Sequence, residues 1–407
     1  MVSRTRDLLQ RAFRMYQSKG GGALARGAFR HTRQRSPVEL WPPLVLDPIH
    51  EATERVLLHE TPSIELRYDG RFHESLPRQL AAAEGRVLGA EGEVYVYTDA
   101  DIVGHRPVVR VDGGYLLPSW IGVDTAYFLH QEKYLKRNLP LVHVLRDAVS
   151  ETTPDRIVDT GFLLLGERGL EFPAWHHEVL PKLRWLEEYE ELTGESPPLI
   201  LSTDIESFRK QSLVLMGYGP DTWIERGGET TRVRRLLIPP HPRRAKGTHL
   251  HTSVDGLDWV ADRILSNVPD ADDGFADRIY VSRRDAARRH VQNEPEVIET
   301  LHEEGFEWYE PGRLSYEEEV RLFAGADIIV GAHGKGLASI FYADDATLVE
   351  MFPRGGATEH YFLTATECGF EYEFLSCEPV YDGRNLRPRD RDFTVDVEAL
   401  RDVVTRL

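Results

Sequence analysis

Two groups of residues in this 407-residue chain have the types and spacing to do chemistry. The first lies between Asp277 and Pro353. A short apolar strand ends on Ser282-Arg283-Arg284, and a later strand, Ala326 to Val330, breaks into Gly331-Ala332-His333-Gly334-Lys335-Gly336 before a second helix. A strand, a glycine turn and a helix present backbone N–H groups to a phosphate at the edge of an α/β sheet. Arginines at the end of a neighbouring strand add bidentate contacts to the same oxygens. The expected occupant is a nucleoside diphosphate, held by Arg283, Arg284, Gly334, Lys335 and Gly336. His333 either touches that anion from the helix N-terminus or caps the turn. Glu350 ends the next strand, where a carboxylate accepts both hydroxyls of a ribose or pairs with Arg283 or Arg354.

The second group is His176, His177 and Glu178, which follow Trp175 at the start of a helix. A histidine or glutamate there suits a general base that takes a proton from an attacking hydroxyl. The choice among the three is open. Three adjacent residues cannot share one ion, because only positions three or four apart lie on one helix face, so no metal is expected. Asp99-Ala100-Asp101 has the spacing of a metal-binding acid pair but reads as a turn, and the acids at 270–273 and 344–345 read as linker and loop residues. Ser315 with Glu318 forms an S-x-x-E capping box, so Ser315 is first a helix cap. Arg288 and Arg289 read as the solvated face of a helix.

The elements that must position these groups make an α/β chain. Short strands at 94–97, 108–111 and 115–117 give a β-rich start. The strand 161–165, the helix 174–192, the strand 199–202, the helix 205–216 and the strand 234–238 follow. A Pro/basic stretch to His251 reads as a linker, and the helix 257–265 opens a second α/β unit. The expected division is 1–38, a basic segment; 39–250, an acceptor-side α/β domain with a β-rich start; 251–380, a nucleotide-binding Rossmann-like domain; and 381–407, a tail with a helix packing back across the first domain.

Net charge is −18, but residues 1–38 hold nine basic residues and one acid, so the remainder is close to −26. Only seven of the 49 basic residues are lysine. An acidic, lysine-poor surface fits either a protein that stays soluble in high salt or the arginine codon bias of a GC-rich genome. The acidic remainder argues against nucleic acid as a partner. In the basic segment, Leu8, Leu9, Ala12, Phe13 and Tyr16 share a helical face, which fits either peripheral docking on anionic lipid heads or a solvated tail. No apolar run reaches the roughly 20 residues that span a bilayer. Cys368 and Cys377 are the only cysteines, too few for a disulfide framework, and a cytoplasmic location is expected.

Five of these pieces, in this order, resemble the C-terminal half of the family 61 glycosyltransferases. They are Ser282-Arg283, Asn293-Glu294, Ser315 with Glu319, His333-Gly334-Lys335-Gly336-Leu337, and Glu350-Met351-Phe352-Pro353. The likeness is close from Asp277 to Pro353 and looser back to Trp41. Lys335 stands where the family has a small residue, Ser339 where it has Asn, Glu319 where it has Gln, and Ala174 where it has the histidine of a His-Trp pair. The resemblance implies a GT-B-like fold, two Rossmann-like domains facing a cleft. It implies an inverting, metal-independent transferase that moves a sugar from a nucleotide-sugar donor to a glycan or lipid-linked acceptor. Surface polysaccharide, capsular or glycoprotein synthesis at the inner face of the membrane is the implied setting. Ala174 also admits a non-catalytic partner subunit that keeps only the nucleotide pocket.

Overall fold

The computed structural model describes residues 52–58, 92–104, 108–111, 114–116, 153–164, 171–202, 207–239 and 256–407, with short pieces between 64 and 88 and between 244 and 251. The basic segment 1–38, with its proposed lipid docking, lies outside the described residues.

The first sheet contains β1 (Glu54–Leu57), β2 (Glu93–Val103), β3 (Val108–Val111), β4 (Gly114–Leu116), β5 (Arg156–Leu163), β6 (Leu199–Ser202), β7 (Trp223–Arg226) and β8 (Thr231–Ile238). Their order is β4-β3-β2-β8-β5-β6-β7, with β1 also paired to β2. Strands β8, β5, β6 and β7 run parallel, while β2 lies antiparallel along β8. The β-rich start is therefore continuous with the α/β part. Asp99 and Asp101 lie inside β2 rather than in the expected turn. Asp101 is buried between Arg110 of β3 at 2.5 Å and Arg232 of β8 at 2.7 Å. Burial alone would raise its carboxyl, but Arg232 and Arg110 hold it below the usual carboxylate range. It neutralises arginines and offers nothing to a metal.

Helices α1 (Lys182–Thr193) and α2 (Ser207–Leu215) pack on this sheet, and α3 (Gly256–Leu265) leads to the second. The expected linker contains a two-strand pair, Arg244–Lys246 with His249–His251. The second sheet then follows as β9 (Arg278–Val281), α4 (Glu294–Glu303), β10 (Glu307–Tyr309), α5 (Tyr316–Ala324), β11 (Ile328–Ala332), β12 (Thr347–Pro353), α6 (His360–Glu367), β13 (Glu371–Pro379), β14 (Phe393–Thr394) and α7 (Val397–Val404). The strand order is β10-β9-β11-β12-β13-β14, parallel except for β14. All five residues of β11 are buried, as expected for a parallel strand covered on both faces. The chain leaves β9 toward β10 on one side and returns to β11 on the other. The crevice of this sheet therefore opens at the carboxyl ends of β9 and β11.

The last helix does not cross to the first sheet. Leu400, Val403 and Val404 of α7 share an apolar cluster with Val297 and Leu301 of α4. Arg401 reaches Glu304 at 3.0 Å and Glu303 at 2.6 Å. Asp396 caps the helix, accepting from the N–H of Glu398 and Ala399. A larger apolar cluster joins the two sheets, running from Val94 and Leu183 through Trp175 and Val260 to Phe323 and Phe341. Among the described residues no helix is long and apolar enough to cross a membrane.

Candidate functional site

Arg283 follows β9 directly and is 8% exposed. Its guanidinium lies over the Cα of Gly334, which follows β11: a Cβ built there would stand 1.7 Å from Nη1. The glycine leaves the space that the guanidinium fills and is not demanded by the backbone, since its φ of 160° is extended and open to other residues. Arg283 makes no ion pair with a carboxylate among the described residues; Nη2 donates to the Arg288 carbonyl at 3.3 Å, and Nε is buried without an acceptor. Burial pushes the Arg283 guanidinium below its usual range, and the charge of Arg289 adds to that.

Arg289 is a residue that the sequence reading misplaced. No helix forms between β9 and α4, so it has no solvated helix face to occupy. Its φ is +60°, its Nε is also buried without an acceptor, and burial lowers its guanidinium too. Two arginines facing one another, with buried donors unsatisfied, each carry a cost of about 1–3 kcal/mol per orphaned group. The tyrosine of α6, Tyr361, is buried beside this pair and donates to the Gly334 carbonyl.

Arg284 has a different task. Its Nε donates to Glu294 Oε2 at 2.9 Å, and its guanidinium stacks over Trp308 with the centroid at 4.9 Å. Glu294 also accepts Tyr280 Oη–H at 2.9 Å and Ser282 Oγ–H at 2.8 Å. Asn293 ties the same corner to Val395 by two backbone contacts at 2.9 and 3.0 Å. The Ser-Arg and Asn-Glu pieces of the sequence pattern therefore form one clamp. It fixes the end of β9, consumes Arg284, and leaves Arg283 free to face the crevice.

The glycine turn is not followed by an α-helix. Two short 3-10 turns, Lys335–Leu337 and Ile340–Tyr342, take its place. Leu337, Ala338, Ser339, Ile340, Phe341 and Tyr342 are all buried, so the stretch lacks the polar face of a surface helix. The helix that begins beside the site is α6, reached only after β12. Lys335 points outward, 65% exposed, with Glu171 at 3.9 Å. Gly336 lies close against Val281, where a Cβ would stand 2.9 Å from Cγ1. Ser315 caps α5 in a reciprocal box with Glu318 and presents nothing to the crevice. Glu350 is fully buried, with Oε1 on His333 Nδ1 and Oε2 accepting Tyr372 Oη–H at 2.6 Å. Both oxygens are engaged, which rules out the ribose role and the pairing with Arg283 or Arg354.

The second group of candidates lies on a π-helical turn, Trp175–Val179, where Leu180 N–H reaches back five residues to Trp175 O at 2.9 Å. Pro181 has no N–H to offer the His177 carbonyl, so the widened turn loses no further bond there. His176 is fully buried and ringed by Phe172, Phe208, Tyr316, Phe341 and Tyr342. Its Nδ1–H donates to Phe172 O at 2.8 Å, and its Nε2 accepts from Tyr316 Oη at 2.9 Å. Tyr342 Oη–H donates in turn to Tyr316 at 2.6 Å. Burial pushes the His176 imidazole down to about 4. The His177 Nε2–H donates to Ala338 O at 3.1 Å, and Glu178 is buried beside Lys182, whose ammonium burial pushes down to about 8 against the Glu178 charge. These three residues join the halves of the molecule and lie away from an open surface.

Glu319 belongs to the same junction. Its carboxyl group is enclosed and accepts Ser339 Oγ–H at 2.7 Å. Enclosure pushes that carboxyl up to about 7, against the Ser339 hydrogen bond. A carboxyl raised in the folded chain favours the protonated state, so its contribution is full below about pH 4.5 and lost as pH rises to about 7. Glu319→Gln should remove that loss, raising the midpoint of unfolding at pH 8 relative to the wild type and changing it far less at pH 5. The difference is at most about 3 kcal/mol, and urea melts at pH 5 and 8 read it directly.

Among the described residues no group of three His, Cys, Asp or Glu is placed to hold a metal ion. The fold is that of an α/β protein, and the arginine site lies at the topological switch point between β9 and β11. Residues 172–349 match the family described as Glycosyltransferase 61. This stretch spans both the π-helical turn and the arginine site, and the family suggests a glycosyltransferase. No curated protein matches the chain.

Proposed function

We propose that the chain is an inverting glycosyltransferase of GT-B-like arrangement, using a nucleotide-sugar donor and a glycan or lipid-linked acceptor. The observation that carries this reading is Arg283 over Gly334, at the ends of β9 and β11, with the charge of Arg289 acting on it. A diphosphate placed there meets two guanidiniums and the start of α6, which together stabilise the charge of a leaving group without a metal. The first-sheet half then supplies the acceptor side, and the setting is the synthesis of a surface glycan in the cytoplasm or at the inner face of the membrane. Calorimetry with UDP, GDP, dTDP and CMP tests the donor site. Binding of one diphosphate in the micromolar range, unchanged by EDTA, is expected. A failure of all four to bind, or binding that needs Mg²⁺ or Mn²⁺, would refute the metal-free diphosphate site.

A further inference from the structure

We infer that His333 is the proton donor to the leaving diphosphate and that Glu350 is its positioning residue, a role that rests on the diphosphate reading above. The two come from adjacent strand ends, His333 just past β11 and Glu350 within β12, and the backbone is pinned by His333 N–H to Met351 O at 2.8 Å. The Glu350 carboxylate is fully buried and can only accept, so the His333 nitrogen on it, Nδ1, carries hydrogen. Tyr372 Oη–H occupies the other carboxylate oxygen, and burial with Glu350 alongside keeps that phenol protonated, so Glu350 cannot turn elsewhere. The ring is therefore fixed with Nε2 outward, 3.3 Å from Thr358 Oγ1 and edge-on to Tyr361.

His333 precedes Gly334, the residue on which the Arg283 guanidinium rests, and its side chain keeps 13% exposure while its partner keeps none. Thr358 and Tyr361, its other neighbours, belong to the approach and first turn of α6. Nε2 is thus the ring nitrogen left for a diphosphate that Arg283 holds beside Gly334. With that anion bound, an imidazolium bridges two negative groups, the Glu350 carboxylate and the phosphate. The acceptor hydroxyl oxygen bonds to the anomeric carbon and gives up its proton to solvent. As it does so, the bond between that carbon and the phosphate oxygen breaks and its electron pair stays on the phosphate oxygen. The Nε2 proton moves to the oxygen, and His333 is left neutral with Nδ1–H still on Glu350. Among the candidate residues read from the sequence, it is the histidine that is placed next to the arginine pair; His176 and His177 have their ring nitrogens turned to Phe172, Tyr316 and Ala338.

Proton uptake on nucleotide binding tests this without a known sugar or acceptor. Calorimetry of the tightest-binding of UDP, GDP and dTDP, in pairs of buffers with different ionisation enthalpies from pH 6 to 9, counts protons taken up. The full chain should take up a fraction of a proton more than His333→Asn over part of that range. Glu350→Gln should lose most of the difference while its affinity stays within about tenfold. Equal proton counts in all three proteins, with the nucleotide still bound, would overturn the inference and leave the diphosphate site standing. Absence of nucleotide binding to the full chain would overturn both. Should Glu350→Gln fail to fold, His333→Asn alone decides the proton count.

Discussion

Nucleoside diphosphate affinity should fall by roughly 10- to 100-fold on Arg283→Ala, the effect of losing a charge-assisted contact of about 1.5–3 kcal/mol. Gly334→Ala should do nearly as much with both arginines intact, because a Cβ 1.7 Å from Nη1 must displace the guanidinium from its place over the turn. Arg284→Ala is the discriminating control. Sequence gives Arg283 and Arg284 the same task, but Arg284 is held by Glu294 at 2.9 Å and by Trp308. Its removal should lower stability, by leaving a buried carboxylate with one partner fewer, and change affinity less than threefold. Arg289→Ala should behave like Arg283→Ala. If Arg284→Ala weakens binding while Arg283→Ala does not, the crevice has been drawn on the wrong side of the strand end.

What was legible in the sequence was what depends on local pattern. The strands 199–202 and the core of 347–353, the helix 257–265 and the capping box at Ser315 all follow from short-range spacing. A parallel second sheet was implied by strands alternating with helices, while its strand order, which puts the switch point between Arg283 and Gly334, came from the structure. Roles set by partners distant in sequence were not legible. Nothing local shows that Glu294 takes Arg284 out of the site, that Tyr372 and His333 occupy Glu350, or that Tyr361 sits by Arg289. Arg289 could have been suspected from a second Arg pair placed just before Asn293-Glu294, but its left-handed backbone removes the helix that made it look solvated. The helix expected after the glycine turn failed for a countable reason: residues 337–342 are apolar or small throughout, and every one is buried.

His176 gives the sharpest divergence between the two levels, and its replacement should be expensive for stability rather than for chemistry. His176→Ala empties a site lined by five aromatic rings and strands Phe172 O and Tyr316 Oη. By analogy with large-to-small changes at buried aromatic positions it should destabilise the chain by about 3–5 kcal/mol. His176→Phe keeps the packing and loses only the hydrogen bonds, so it should fold and bind nucleotide. It also carries a pH signature. A histidine held neutral, with its imidazole down at about 4, contributes stability above about pH 6.5 that is lost as pH falls to about 4. The Phe variant should lack that acid limb. This slope is opposite in sign to that of Glu319, which weakens the fold as pH rises. The two windows overlap at the junction where His176, Tyr316, Tyr342 and Glu319 meet, so in the wild type the two slopes largely cancel between about pH 4.5 and 6.5. Glu319→Gln alone should expose the acid limb of His176, His176→Phe alone the loss from Glu319 as pH rises, and the double variant should show neither. A general base at this position makes the contrary demand: His176→Phe would then retain its stability curve and lose transfer by roughly 10²–10⁴-fold. Urea melts from pH 4 to 8 on the single and double variants separate the two outcomes before any substrate is known.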